Sequence, residues 1–228
     1  AGMNSRTRLH RLCTGLAAAA IGAGVGVLTG GCLDLDPFLF GGELLSSYQL
    51  DDYKGSRECD GYIELAGPID TALVHQHSFA SGAETLYGIL VHEAATCDSA
   101  DTLILYCHGK SDHIDNYWPR TRLLYDAAGG AHPVFVFDYR GYGMSSGEPT
   151  EEGLYEDGAA ALAYARDALG NPHVVVYAYS LGSIIGCKIA VDNPTGRVRA
   201  LVLEAPIGEI STIVTDATYL NIPGSAVT

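Results

Sequence analysis

Residues 173–182 read HVVVYAYSLG, a run of strand-forming side chains that stops at a serine followed by leucine and glycine. Valine and tyrosine suit a pleated, buried strand, and a helix is expected directly afterwards, from Leu181 to about Val191. A hydroxyl is thereby set where a strand gives out and a helix begins. From residue 61 outward the same alternation organises the chain: strand-like YIELA, TALVHQHSF, TLYGILVHE and TLILYCHG, helix-like WPRTRLLYDAA, then PVFVFDYRGYG. A helix from about Thr150 to Leu169 follows, with Leu154, Ala161, Leu162, Ala165 and Leu169 on one face, and RALVLEAP closes the series after the 173–179 strand and its helix. Strands that are continuous apolar runs and alternate with helices predict an α/β fold with a mostly parallel sheet covered on both faces. The first strands lack intervening helices and predict an antiparallel entry.

In such sheets chemistry gathers at the carboxyl ends of the strands, which is where Ser180 falls. AYSLG matches the nucleophile elbow G-x-S-x-G with Ala178 in place of the first glycine, and Gly182 keeps the second small position. The helix behind it would point its positive N-terminus at developing negative charge. The alternative role for Ser180 is a plain N-cap. In LILYCHGKSDHIDNYW a strand ends in His108 and Gly109, the HG turn that helps to build an oxyanion hole. The backbone N–H of Leu181 and one near Lys110 would converge there on a carbonyl oxygen, each such donor contributing about 3 kcal/mol of barrier lowering. The third segment, FDYRGYGMSSGEPTEEGLYED, completes a resemblance to the α/β-hydrolase superfamily, in its serine-aminopeptidase-like, monoacylglycerol-lipase-like and BEM46-like branch. It covers residues 61 to about 210. For Asp138 and Arg140 the expected job is loop architecture, tying a tight turn that Gly141 and Gly143 permit.

The resemblance implies an order of serine, then an acid after a seventh strand, then a histidine after an eighth. No histidine follows His173 in these 228 residues. His173 opens its strand at the edge away from Ser180, His108 is expected to orient its own turn, and Asp192 ends a helix on the far side. His113, in a loop at the reactive edge, is either a solvated residue or a substitute base, and Asp216 has no assignable place. Two readings stay open: a serine hydrolase whose acid and histidine lie outside this sequence, or a non-catalytic envelope lipoprotein with a hydrolase-like binding fold. The first is preferred, because six strands alone leave an unpaired apolar edge. It makes residues 61–228 a hydrolase domain without its acid and base, with negligible turnover by itself.

Arg6, Arg8 and Arg11 precede LCTGLAAAAIGAGVGVLTGGC, an uncharged run of small apolar residues with the pattern of an export signal over 1–31. Thr29, Gly30, Gly31 and Cys32 resemble a bacterial lipobox with its leucine, Leu28, one place further away than usual. This makes Cys32 a lipid-attachment site and places the protein in the cell envelope; a membrane-spanning anchor and plain secretion are the alternatives. Residues 32–60 read as a tether and loosely packed lead-in. Without its first 31 residues the chain keeps 10 basic against 27 acidic side chains, a net charge of −17 that argues against nucleic acid and for a solvated surface. Cys59 and Cys97 lie in polar sequence and are candidates for a disulfide, while Cys107 and Cys187 lie in apolar runs as core thiols. The cysteine spacing fits no metal motif, and neither a dinucleotide nor a phosphate loop is present, so no cofactor is expected. The partners expected are a small acyl substrate and the membrane.

Overall fold

The computed structural model describes residues 39–55, 67–98, 101–110, 112–170, 172–193, 196 and 198–208. The expected export signal, Cys32, Cys59, Asp216 and the strand-like YIELA lie outside the described residues. The regular elements fall in one compact unit, Phe40–Ile207. In chain order they are β1 (Val74–Ser81), β2 (Glu84–Val91), β3 (Thr102–Cys107), α1 (Ile114–Ala127), β4 (Val134–Phe137), α2 (Glu151–Asp167), β5 (His173–Tyr179), α3 (Gly182–Asp192) and β6 (Val198–Glu204).

The six strands lie side by side in the order β1-β2-β4-β3-β5-β6. A hairpin joins β1 to β2, β2 runs antiparallel to β4, and the remaining three pairings are all parallel. This is the mostly parallel sheet with antiparallel entry that the alternation of runs predicts. Strand β4 explains why those runs are apolar throughout. Val134 and Val136 face Tyr106 and Trp118 in the core under α1, whereas Phe135 and Phe137 face the other way, onto Phe79, with Tyr164 of α2 against Phe79 and Phe135. A strand buried on both faces has no position left for a polar residue.

Of helices α1, α2 and α3 only α2 begins with a side-chain cap. Thr150 caps α2 by accepting the Gly153 N–H at 3.0 Å, and Leu154, Ala161, Ala165 and Leu169 are buried, as their spacing requires. Helix α1 begins at Ile114, four residues before the expected WPRTRLLYDAA, and holds Pro119 inside it. Proline is best tolerated in a first turn, which draws a reading from sequence toward a later start. Among the described residues no helix is long and apolar enough to cross a membrane.

The lead-in does not pack loosely. Phe40 is buried and its carbonyl accepts the Tyr142 hydroxyl; Leu44 bridges to Gly143; and the Gln49 and Leu50 N–H groups donate to the Asp115 carboxylate at 3.0 and 2.7 Å. Leu50 holds a left-handed φ of 52°, a conformation that costs a non-glycine residue about 1 kcal/mol and persists only where neighbours enforce it. The fastening is by backbone donors onto a distant carboxylate and leaves no hydrophobic period in the sequence.

Of the expected Cys59–Cys97 pair only Cys97 is described, and it is a free, buried thiol. Its backbone N–H donates to Leu169 O at 2.8 Å, which tucks the residue beneath the end of α2, and burial pushes the thiol up to about 12. Cys107 is free and fully buried, as expected of a core thiol.

Candidate active site

Ser180 follows β5 directly and takes a left-handed φ of 50°. The strain is held from both sides: its N–H donates to Glu204 O at 3.0 Å, and its carbonyl accepts the Ser183 N–H at 2.9 Å and the Ser183 hydroxyl at 2.6 Å. Ser183 Oγ in turn accepts the Ile207 N–H at 3.0 Å, fastening the bend to the segment after β6. The N-cap of α3 is Leu181, with no side-chain capping bond, so Ser180 is not the cap. Among the described residues its hydroxyl makes no hydrogen bond, and the residue is partly exposed. A strained bend carrying an uncommitted, accessible hydroxyl suits a nucleophile better than a structural serine.

Small residues let strand and helix cross here. A Cβ on Gly182 would stand 2.1 Å from Cys107 O and 2.6 Å from His108 O, so the bend and the turn after β3 meet backbone to backbone. Ala178, where the elbow pattern has glycine, is accommodated from the opposite side: a Cβ on Gly186 would lie 2.7 Å from the Ala178 methyl. Beneath the bend, Arg120 of α1 lies 4.0 Å over the Tyr179 ring, donates to Tyr177 OH at 3.1 Å and forms an ion pair with Glu204. It joins the carboxyl ends of β5 and β6. Nothing in the sequence marks this pairing, because its partners stand 84 residues apart.

The turn after β3 has three consecutive carbonyls tied down. His108 O accepts the Tyr139 hydroxyl at 2.8 Å, Gly109 O lies 2.8 Å from His108 Nδ1, and Lys110 O accepts the Tyr117 hydroxyl at 2.8 Å. Peptides are planar and trans, so pinning the Gly109 carbonyl against the His108 ring turns the Lys110 N–H away from that ring. His108 is fully buried between the rings of Tyr117 and Tyr139, 4.8 and 4.5 Å away. Its Nε2 is 3.1 Å from Asp138 Oδ1, off the line of a hydrogen bond. Burial lowers the Lys110 ammonium below its usual range.

Asp138 and Arg140 are both tied to distant elements. Asp138 is fully buried and accepts the Ile114 N–H at 3.0 Å and the Tyr48 hydroxyl at 2.6 Å. Arg140 grips the buried Asp157 of α2 through Nε and Nη2 at 2.8–3.2 Å, and reaches Glu156 at 2.9 Å. His113 corrects the expectation of a solvated loop residue: it is wholly buried ahead of α1, 5.3 Å from the Tyr53 ring and 4.0 Å from Asp115 Oδ2. His173 opens β5, at the end of the sheet away from Ser180, and Asp192 pairs with Lys188. The structure therefore brings together Ser180, Leu181, Gly182, His108 and Gly109; His173 and Asp192 are engaged elsewhere, and His113 is buried ahead of α1 with neither ring nitrogen hydrogen-bonded among the described residues. Among the described residues no group of histidines, cysteines and carboxylates is placed to hold a metal.

Residues 102–220, just over half of the chain, match the family model described as alpha/beta hydrolase fold. Protein bem46 of Schizosaccharomyces pombe is 32% identical over 132 residues, 57% of this chain and 43% of its own length. Lysophosphatidylserine lipase ABHD12 of Danio rerio is 27% identical over 175 residues, 65% of this chain and 44% of its own. The chain thus spans less than half the length of these curated relatives. Among solved structures, an alpha-beta hydrolase from Vibrio vulnificus superposes with a TM-score of 0.57 at 18% identity, over 82% of this chain and 68% of that one.

Proposed function

Because this chain belongs to the alpha/beta hydrolase fold family, we propose that it is a serine hydrolase in which Ser180 Oγ attacks an ester, thioester or amide carbonyl and forms an acyl-enzyme. The carrying observation is the left-handed bend at Ser180, whose hydroxyl makes no capping or other hydrogen bond among the described residues. In this reading the serine proton leaves to a general base as the Oγ–C bond forms, and the Leu181 and Lys110 N–H groups take the oxyanion. The Leu181 N–H has no acceptor among the described residues, and the close approach of Gly182 to the 107–108 backbone supports this reading.

A serine needs a base and an orienting acid. His108 is sealed in its aromatic stack, His113 is buried ahead of α1, and His173 stands at the wrong end of β5. Following the order that the family resemblance implies, the base and the acid are assigned to sequence outside these 228 residues. One relative is named a lysophosphatidylserine lipase, which makes a lipid acyl ester the first substrate class to try. We propose in addition that Cys32 carries a lipid that holds the domain at the cell envelope.

Labelling with a fluorophosphonate probe tests the reading. The 228-residue chain is expected to stay unlabelled, and a longer translation product to label in the wild type but not in Ser180→Ala. Ser180-dependent labelling of the short chain would show that no external base is required. Absence of labelling in every product favours the second reading, a hydrolase-like fold that binds without turnover.

A further inference from the structure

We propose that Tyr48, in the segment ahead of the first strand, is a positioning residue for the oxyanion turn, acting through Asp138 and His108. The proposal rests on the Ser180 reading for its function, but its geometry stands apart from turnover.

Tyr48 OH donates to Asp138 Oδ2 at 2.6 Å from 90 residues away in sequence. The other oxygen, Oδ1, accepts the Ile114 N–H at 3.0 Å and lies 3.1 Å from His108 Nε2, off the line of a hydrogen bond, so that the link between carboxylate and ring is electrostatic. His108 Nδ1 faces Gly109 O at 2.8 Å. A carbonyl only accepts, so Nδ1 carries a proton there, and the Gly109 carbonyl is drawn toward the ring. Planarity then fixes the Lys110 N–H on the opposite side. A chain of contacts thus runs from the lead-in to the donor proposed for the oxyanion, and its middle members Asp138 and His108 are fully buried.

Three features show that the Tyr48 contact is built into the fold. A Cβ on Gly143, which has a φ of 51°, would lie 1.8 Å from Asp138 Oδ2 and 3.1 Å from Tyr48 OH, so the loop is kept bare where this bond passes. The next two residues are clamped by Asp115, which accepts from Gln49 and Leu50. Burial and the adjacent Asp138 carboxylate raise the Tyr48 phenol far above its usual range, so the hydroxyl remains a donor at any working pH. Inside a low-dielectric cluster, removing one donor from a carboxylate redistributes the charge that its other partners feel.

The test uses the full 228-residue chain and needs no catalysis. Ring-nitrogen signals of His108 and backbone amide signals of Gly109 and Lys110 are recorded by NMR in the wild type, Tyr48→Phe and Leu44→Ala. Leu44 belongs to the same segment and is 66% exposed. Tyr48→Phe is expected to shift all three sets of signals, and Leu44→Ala none. If Tyr48→Phe moves only the signals of its sequence neighbours, the proposal is overturned. Should Tyr48→Phe not fold, His108→Gln read at the Tyr48 ring carbon bearing the hydroxyl asks the same question in reverse, and an unmoved signal there is equally fatal. In any product that labels at Ser180, Tyr48→Phe is further expected to slow labelling about tenfold, a barrier change of roughly 1.4 kcal/mol, and an unchanged rate would remove the functional claim. Failure of Ser180 to label leaves the NMR outcome standing, so the two readings fail separately.

Discussion

At Ser180 the backbone conformation and the hydroxyl are separable, and substitution can tell them apart. A left-handed φ of 50° suits glycine and penalises any residue with a Cβ by about 1 kcal/mol. Ser180→Gly is therefore expected to be more stable than Ser180→Ala by about that amount in urea unfolding, with both unreactive to probe. An alanine variant as stable as the glycine one would mean that the bend is not strained. Two residues on, the sign reverses. A helical glycine normally gains up to about 1 kcal/mol on becoming alanine, but a methyl at Gly182 would meet Cys107 O at 2.1 Å, where backbone cannot yield. Gly182→Ala is expected to lose about 2 kcal/mol of unfolding free energy, and a gain in stability would show that bend and turn are not in contact.

Helix α3 is set against β5 by the pairing of Gly186 with Ala178, and this is where the departure from the G-x-S-x-G pattern is absorbed. Gly186→Ala should cost roughly 1–3 kcal/mol through overpacking, and adding Ala178→Gly should restore part of it. A double-mutant cycle is expected to return a coupling of about 1 kcal/mol, and a value near zero would mean that the two residues do not share the space. This element also shows what was legible in advance. The β5–bend–α3 unit could be read because buried strands are apolar throughout and a strained bend demands small neighbours, both local properties of the chain. The start of α1 could not, since Pro119 imitates a first turn. Nor could the lead-in, whose fastening consists of Gln49 and Leu50 donors meeting a carboxylate more than sixty residues away. Cys97 misled for a related reason: polar neighbours suggested a loop in solvent, but a single backbone bond to Leu169 draws it under a helix end. His113 shares the fault, buried among aromatic and acidic residues contributed by the lead-in.

For the molecule as a whole, the lead-in makes stability depend on buried carboxylates, and this sets a pH signature. Asp115 is raised above the usual carboxylate range, chiefly by burial and further by Asp138, with the Leu50 and Gln49 N–H groups and His113 acting the other way. A carboxyl raised on folding holds its proton more tightly in the native state than in the unfolded one. Its contribution is then fully present below the unfolded value of about 4 and is lost as pH rises through the folded value. Asp115→Asn keeps the shape but cannot ionise. The advantage of wild type over Asp115→Asn, read as the difference in urea midpoint, should therefore be largest near pH 4 and shrink toward pH 7. The net charge of −14 also relaxes on acidification and eases self-repulsion, but it does so almost equally in both proteins and cancels in the difference. A gap that widens with rising pH would mean that the carboxylate, held by its backbone donors, is more stable folded than unfolded, and that the lead-in is clamped by charge rather than in spite of it.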